Sequence, residues 1–201
     1  MEALLVVDVQ NDFCTGGALA VPGGEAVVPG INRLWDRYAC KVLTQDWHPP
    51  GHASFASSHP GKRPFDTVML DYGEQVLWPD HCVQGRSGAA FHPELRTDGA
   101  DLMLRKGFRP GIDSYSAFFE NDRCTPTGLA GYLRERGVEQ VVLTGLATDF
   151  CVGFSALDAL AAGFSTVVLE DLCRGLDMDG SSARMLGAIR DAGGRIKCGH
   201  A

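Results

Sequence analysis

The sequence predicts an α/β fold of three layers, α/β/α, in which helices cover both faces of a central, mainly parallel sheet of about six strands. Two features carry that prediction: short unbroken apolar runs recur along the chain, and between many of them lie stretches whose apolar residues have helical spacing. A third, the length of 201 residues, fits a single domain over 1–201 with a substantial core and is short for two.

The first run, Leu4-Leu-Val-Val7, is stopped by Asp8 and reads as a buried strand entering a polar loop. Residues 27–38 carry apolar side chains at 27, 28, 31, 34, 35 and 38, a helical stripe. Lys41-Val-Leu-Thr-Gln45 is the second strand. Residues 46–91 break the pattern: they are rich in Pro, Gly, His and Ser, lack periodicity, and exceed the length of an ordinary connection. Such a stretch either carries a site or packs on the surface. Leu102-Met-Leu-Arg105 is the third strand. Thr125-Pro126 reads as a cap with proline at the first helical position, and Gly137 stops that helix after Arg134-Glu-Arg136. Gln140-Val-Val-Leu-Thr144 follows as a strand, then a helix over 150–162 ended by Gly163. Thr166-Val-Val-Leu169 is the fifth strand, 181–192 a helix ended by Gly193-Gly194, and Arg195-Ile-Lys197 a weaker last strand.

Acidic residues outnumber basic ones by 25 to 18, for a net charge of −7, and no Lys/Arg tract offsets them. Nucleic acid and anionic membranes are therefore excluded as expected partners. The N-terminal apolar stretch 3–7 lacks a basic leader and is too short for a signal peptide or a membrane span, so cytoplasmic residence is the expectation. Seven cysteines, an odd number widely spread and without a C-x-x-C pair, point to reduced thiols.

The reactive side chains fall at strand ends. Asp8 follows the first strand, Asp46 and His48 the second, Lys106 the third, and Cys151 the fourth, across Gly145-Leu-Ala-Thr-Asp-Phe150. In a parallel open sheet these ends share one edge, where ligands bind, so residues far apart in sequence can meet around one pocket. Thr148 is placed to cap a helix opening at Asp149-Phe150, with Cys151 in its first turn, where free N–H groups and the dipole favour a thiolate. Lys106, if it reaches the thiol, favours the thiolate further. The alternative is an inert buried cysteine beside Val152; Gly145, by permitting the close backbone approach an oxyanion site requires, argues for chemistry. Asp8 could take the thiol proton and return it to a departing amine, which calls for a raised pKa. With Asn11 and Asp12 it could equally form a turn-capping cluster, and Lys106 alone could be a solvated lysine.

Asp46, His48 and His81 offer one carboxylate and two imidazoles, a set that holds a borderline divalent metal and leaves positions for water or substrate. His52, His59 and Cys82 compete with them, and histidines in such loops often only hydrogen-bond. Phe13, Trp47, Trp78 and Tyr115 lie close in sequence to these groups and suit a slot for a flat heteroaromatic substrate, or simply anchor the loops.

Several segments together carry a resemblance: Val6-Val-Asp-Val-Gln-Asn-Asp-Phe13 with Gly16-Gly17, Gln45-Asp-Trp-His-Pro-Pro50, Trp78-Pro-Asp-His-Cys-Val83, Lys106-Gly107, Asp113-Ser-Tyr-Ser-Ala-Phe118 and Gly145-Leu-Ala-Thr-Asp-Phe-Cys-Val152. Over essentially the whole chain the sequence resembles the bacterial nicotinamidase/pyrazinamidase family, in the cysteine-hydrolase superfamily that contains isochorismatase-like proteins. The segment around Cys151 indicates the superfamily, and the D-x-H segment with Trp78-Pro-Asp-His81 narrows it to the nicotinamidase branch.

The resemblance implies an isochorismatase-like hydrolase fold and hydrolysis of nicotinamide to nicotinate and ammonia through a Cys151 thioester, with pyrazinamide as a second substrate and NAD salvage as the setting. It implies Asp8, Lys106 and Cys151 as the catalytic triad, and a cis Leu146–Ala147 peptide with the N–H groups of Ala147 and Cys151 as the oxyanion hole. Asp46, His48 and His81 become the ligands of one divalent metal, zinc first and iron or manganese as alternatives, with Phe13, Trp78 and Tyr115 flanking the pyridine ring. Some relatives place a further histidine before the phenylalanine of the metal loop; this chain has Ser54 before Phe55, with a water-mediated metal contact as its expected role. The competing expectations are hydrolysis of another small amide or carbamoyl compound, and a non-enzymatic metal-binding module. Oligomeric state is left open, a homo-oligomer included.

Overall fold

The structure is a computed structural model that describes residues 1–199. Its elements run β1 (Glu2–Val7), α1 (Val28–Leu34), β2 (Cys40–Asp46), β3 (Thr67–Leu70), β4 (Gly73–Val76), β5 (Leu102–Lys106), α2 (Leu129–Glu135), β6 (Gln140–Leu146), α3 (Gly153–Ala161), β7 (Ser165–Arg174), α4 (Ser181–Asp191) and β8 (Arg195–Lys197). Six strands form the central sheet in the order β5-β2-β1-β6-β7-β8, and every adjacent pair is parallel. This is the three-layer α/β/α architecture the apolar runs imply.

The unbroken apolar character of β1 follows from burial on both faces. Leu4 and Val6 pack toward Val28, Ile31 and Leu34 of α1, while Ala3, Leu5 and Val7 pack toward Leu129 and Leu133 of α2, Ala156 and Ala159 of α3, and Leu186 and Ile189 of α4. Each fully buried Leu or Val contributes roughly 1.5–3 kcal/mol relative to exposure. An alternating pattern would leave one of these layers without a partner.

Local departures from expectation have tertiary causes. The stripe over 27–38 is one α-helix flanked by 3-10 turns at Gly24–Val27 and Trp35–Arg37. Trp35 is fully buried there and its Nε1–H donates to the Asp98 carbonyl at 2.8 Å, a contact made across the fold. Thr125-Pro126 does not open a helix. Thr125 bonds back to the Asp122 carboxylate, Pro126 pairs with Phe119 in an isolated bridge, and α2 starts after Gly128, whose φ is +96°. Within 46–91 the antiparallel β3/β4 hairpin appears, which the composition of that stretch did not announce. Among the described residues, no helix is long and apolar enough to cross a membrane.

The segment after β5 also buries Glu120, whose carboxyl is pushed up to about 7 by burial, against the pull of Arg109, whose Nε lies 3.3 Å away. An acid raised on folding holds its proton better in the native state. The penalty for ionising it is thus absent below its ordinary value of 4.5 and complete once pH exceeds the folded value. Glu120→Gln should therefore gain stability relative to the parent as pH rises from about 5 to about 8. Thermal midpoints across that range check this; an advantage that does not change with pH would contradict it.

Candidate active site

Four adjacent strands, β5, β2, β1 and β6, deliver the reactive side chains to their shared C-terminal edge. Lys106 and Asp46 are the last residues of β5 and β2 and are paired in register, Asp8 follows β1, and Cys151 follows β6. Gly145 makes the junction of β1 and β6 feasible: its φ is +110°, and a Cβ there would lie 2.1 Å from the Val7 carbonyl oxygen, a backbone atom that cannot step aside.

Lys106 is 0 % exposed. Its Nζ lies 2.9 Å from Asp8 Oδ2, 2.5 Å from Asp46 Oδ1 and 2.8 Å from the Ser114 carbonyl, three close acceptors for three N–H groups. Cys151 Sγ stands farther off, at 3.4 Å. Burial opposes the Asp46 charge, but Lys106 and His48 outweigh it and hold that carboxyl well below the usual range. For Asp8 burial prevails over Lys106, with Asp46 adding to it, and the carboxyl is raised. Thr44 Oγ1 donates to Asp8 Oδ1 at 2.7 Å and orients it.

The turn bearing Cys151 differs from the expected capped helix. It is a π-helical turn over Thr148–Val152, running directly into α3, and Thr148 makes no capping bond with its side chain. The Phe150 and Val152 N–H groups both donate to the Ala147 carbonyl at 3.1 Å, with Cys151 between them, and the Leu146–Ala147 peptide is cis. The thiol also differs from the thiolate favoured by a helix start. Burial pushes Cys151 well above its ordinary value; Lys106 lowers it, but Asp8 and Asp46, whose oxygens lie within 4.8 Å of Sγ, raise it again. A thiol and a carboxyl that are both pushed upward, side by side in a buried site, form a pair between which a proton can pass.

Asp46, His48 and His81 converge on a second point: Nε2 of each histidine lies 3.6 and 3.8 Å, respectively, from Asp46 Oδ2. Ligands of one divalent ion at tetrahedral angles stand roughly 3.4 Å apart. His48 Nδ1 faces the Gly107 carbonyl at 2.8 Å and His81 Nδ1 the Pro79 carbonyl at 2.9 Å, which places the ring proton on Nδ1 and leaves each Nε2 a lone pair. His48 Nε2 is buried without a hydrogen-bond partner, an orphan that a metal would satisfy. Gly107 is required beside it, since a Cβ would lie 2.5 Å from the His48 ring. The residues fit a metal.

The competing histidines have hydrogen-bond partners of their own, although His52 also stands with His48 and Asp113 in a second cluster whose ligand atoms lie within 4.8 Å of one another. His52 faces Ser54 Oγ and the Arg109 carbonyl, both at 2.8 Å, and His59 Nε2 faces the Ala53 carbonyl at 2.7 Å. Cys82 joins none of the ligand clusters among the described residues. Ser54 is fully buried and its hydroxyl is engaged with His52.

Phe13, Trp78 and Tyr115 line one pocket together with Asp46, His81 and Cys151. The Trp78 and Tyr115 rings meet edge-on at 6.1 Å, and Phe13 packs against the His81 ring at 5.5 Å. Trp47 is not part of this pocket: Asp46 and His48 face the site from either side of it, and its own ring stacks under the Arg105 guanidinium at 3.8 Å. Extended backbone alternates its side chains, so a run of D-x-H in this conformation turns the middle residue away.

Phe150, Leu19, Val21 and Leu176 complete the apolar wall, and Asp113 adds a carboxylate. Sequence reasoning gave none of these a role. Phe150 adjoins Cys151 and Asp113 opens a quoted motif, so both were within reach; nothing local marks Leu176. Gln75, from β4, donates to Asp113 Oδ2 at 2.8 Å and to the Tyr115 hydroxyl at 2.9 Å, tying the hairpin to the pocket.

The model of the isochorismatase domain matches residues 2–198. A nicotinamidase of Acinetobacter baylyi is 57 % identical over 179 residues, covering 89 % of this chain and 84 % of that protein. Among solved structures, a nicotinamidase/pyrazinamidase of Acinetobacter baumanii superposes with a TM-score of 0.97 at 52 % identity, over 98 % of this chain and 96 % of the other. A pyrazinamidase of Pyrococcus horikoshii, in complex with zinc, superposes with a TM-score of 0.78 at 35 % identity, over 98 % of each chain.

Proposed function

Because the chain belongs to the isochorismatase-domain family, in its bacterial nicotinamidase/pyrazinamidase branch, and is a nicotinamidase-like cysteine hydrolase, we propose that Cys151 is its nucleophile, acting with Asp8 and Lys106. The observation that carries this assignment is the placement of Lys106 Nζ between Asp8, at 2.9 Å, and Cys151 Sγ, at 3.4 Å, where Cys151 lines an aromatic pocket.

Nicotinamide lies between Phe13, Trp78 and Tyr115 with its carboxamide toward Cys151. As Sγ attacks the carboxamide carbon, the thiol proton passes to Asp8, whose raised pKa lets it hold the proton. The carbonyl oxygen, now negative, takes hydrogen bonds from the N–H groups of Ala147 and Cys151. Asp8 returns the proton to the amine, the C–N bond breaks, and ammonia leaves a thioester on Cys151. Asp8, again a base, removes a proton from water, whose oxygen attacks the thioester carbon; the C–S bond then breaks, Asp8 returns the proton to the departing Cys151 sulfur, and the acid leaves and ionises to nicotinate. Lys106 keeps both carboxylates in place and balances the charge that forms beside them. Asp46, His48 and His81 would hold a divalent metal, zinc first and iron or manganese as alternatives, and that ion would serve to orient the ring end of the substrate. Ser54 reaches that ion only through water in this reading, its hydroxyl being turned to His52. Pyrazinamide, with a ring nitrogen in the same relation to its carboxamide, is a second substrate.

Ammonia release from nicotinamide, pyrazinamide and a set of non-aromatic amides and carbamoyl compounds, read alongside elemental analysis of the purified protein, tests the proposal. The two heteroaromatic amides should be hydrolysed in preference, and one equivalent of divalent metal should be present and be lost in His48→Ala. Inactivity on both heteroaromatic amides would overturn the substrate assignment, and metal retained in His48→Ala would overturn the ligand set.

A further inference from the structure

One side chain fastens the loop between β7 and α4 to the turn that carries Cys151. Asp149, two residues before Cys151 and 4 % exposed, accepts three hydrogen bonds, two from that loop and one from Ser181 at the start of α4. Leu176 N–H reaches Oδ1 at 3.1 Å, Asp177 N–H reaches Oδ2 at 2.8 Å, and the Ser181 hydroxyl reaches Oδ2 at 2.5 Å. Held in this way, Leu176 lines the pocket beside Ala147, Phe150 and Cys151.

Asp177 and Asp179 have φ of +55° and +51°, in the left-handed region that most side chains disfavour and aspartate enters more readily, and the bonds to Asp149 fix the loop in that path. Gly175 seats the loop closely: a Cβ there would lie 2.1 Å from Ser182 Oγ and 3.1 Å from Asp149 Oδ1. The Asp149 carboxylate faces only donors, from the loop and from Ser181. An amide in its place would turn one donor toward another.

We propose that Leu176 limits the size of the ring the pocket accepts, and that Asp149 is the positioning residue that keeps this wall at a fixed distance from Cys151. The substrate class is thereby narrowed to heteroaromatic carboxamides without a ring substituent on the side that faces Leu176. This rests on the proposed reading of the pocket as the seat of a heteroaromatic amide.

The test compares kcat/KM for nicotinamide with kcat/KM for its four ring-methylated isomers in the wild type and in Leu176→Ala, Asp149→Asn, Ser181→Ala and Ser181→Thr. A methyl group accommodated or refused by an apolar pocket changes discrimination roughly 10-fold or more. Leu176→Ala should raise the methylated-to-unmethylated ratio by that factor for at least one isomer. Asp149→Asn should move the same isomer in the same direction, Ser181→Ala should do so less, and Ser181→Thr, which keeps the hydroxyl, should return the ratio toward wild type. A general loss of folded protein lowers all substrates alike and leaves the ratio unmoved. If Asp149→Asn does not fold, the two Ser181 variants carry the positioning test. An unchanged ratio for every isomer in Leu176→Ala overturns the size limit. A shift in Leu176→Ala that neither Asp149→Asn nor Ser181→Ala shares overturns the positioning role. Wild-type protein inactive on nicotinamide would instead defeat the underlying reading of the pocket.

Discussion

Cys151→Ala protein should fold, keep its metal and release no ammonia from nicotinamide, with a rate reduced by at least about ten-thousand-fold. The size of the effect follows from the role: without Sγ there is no thioester, and neither Asp8 nor Lys106 is a nucleophile placed to substitute for it. The fold should tolerate the change because the removed atom is small and makes its one nitrogen contact at 3.4 Å, while Lys106 keeps its three closer acceptors. The expected stability cost is about 1 kcal/mol, typical of a single buried substitution. Ammonia release at saturating nicotinamide, together with a thermal midpoint and elemental analysis, separates loss of chemistry from loss of structure. Turnover above a few per cent of wild type in a folded sample would rule out the covalent route.

Lys106→Met should have the largest effect on stability. Lys106 is the cation beside two buried carboxylates, and methionine fills comparable volume without charge. Breaking a buried ion pair by removing one partner costs about 3–5 kcal/mol, because the other partner keeps its desolvation without compensation. The deficit should depend on pH. Asp8 is already raised with Lys106 present, and without it rises further, so the native state of the variant binds a proton that the unfolded state has released. The penalty therefore grows as pH rises above the ordinary value of 3.8 for an aspartate and shrinks as pH falls toward it. Urea unfolding of both proteins at about pH 5 and about pH 8 gives the comparison. A deficit of equal size at both pH values, or none at either, would show that Lys106 does not hold Asp8 by charge.

Much of the molecule was legible before any coordinates. The four inner strands were visible as apolar runs because strands covered on both faces need apolar residues at most positions, and β1 meets that need from Ala3 to Val7; the edge strands β5 and β8 alternate or are largely exposed and gave a weaker pattern. The chemistry-bearing residues were legible because parallel strands end on one side: Asp8, Asp46, Lys106 and Cys151 were each placed by counting from the end of a run. What failed was local inference about how segments end. Thr125-Pro126 looks like a helix start and is instead drawn into a bridge with Phe119, and the Thr148 cap gives way to a π-helical turn. The β3/β4 hairpin was hidden because its strands are half exposed and short, without the periodic burial that makes a pattern.

The amino-acid sequence by itself determined which residue types reach the sheet edge, since alternating strands and helices make the sheet parallel, parallel strands end on one side, and the residue following each run is written in the chain; the order of the strands across the sheet came from the structure. Only the tertiary structure decided what those residues are once they meet. Burial and two carboxylates outweigh one lysine and push the Cys151 thiol above its ordinary value, a balance set by distances between four strands. Trp47 leaves the pocket while its neighbour Asp46 lines it, and a carboxylate 27 residues before Leu176 holds the backbone of that pocket residue. Patterning along a chain reports which faces are covered. Desolvation and charge depend on which atoms the fold brings within a few ångströms, and that information is not local.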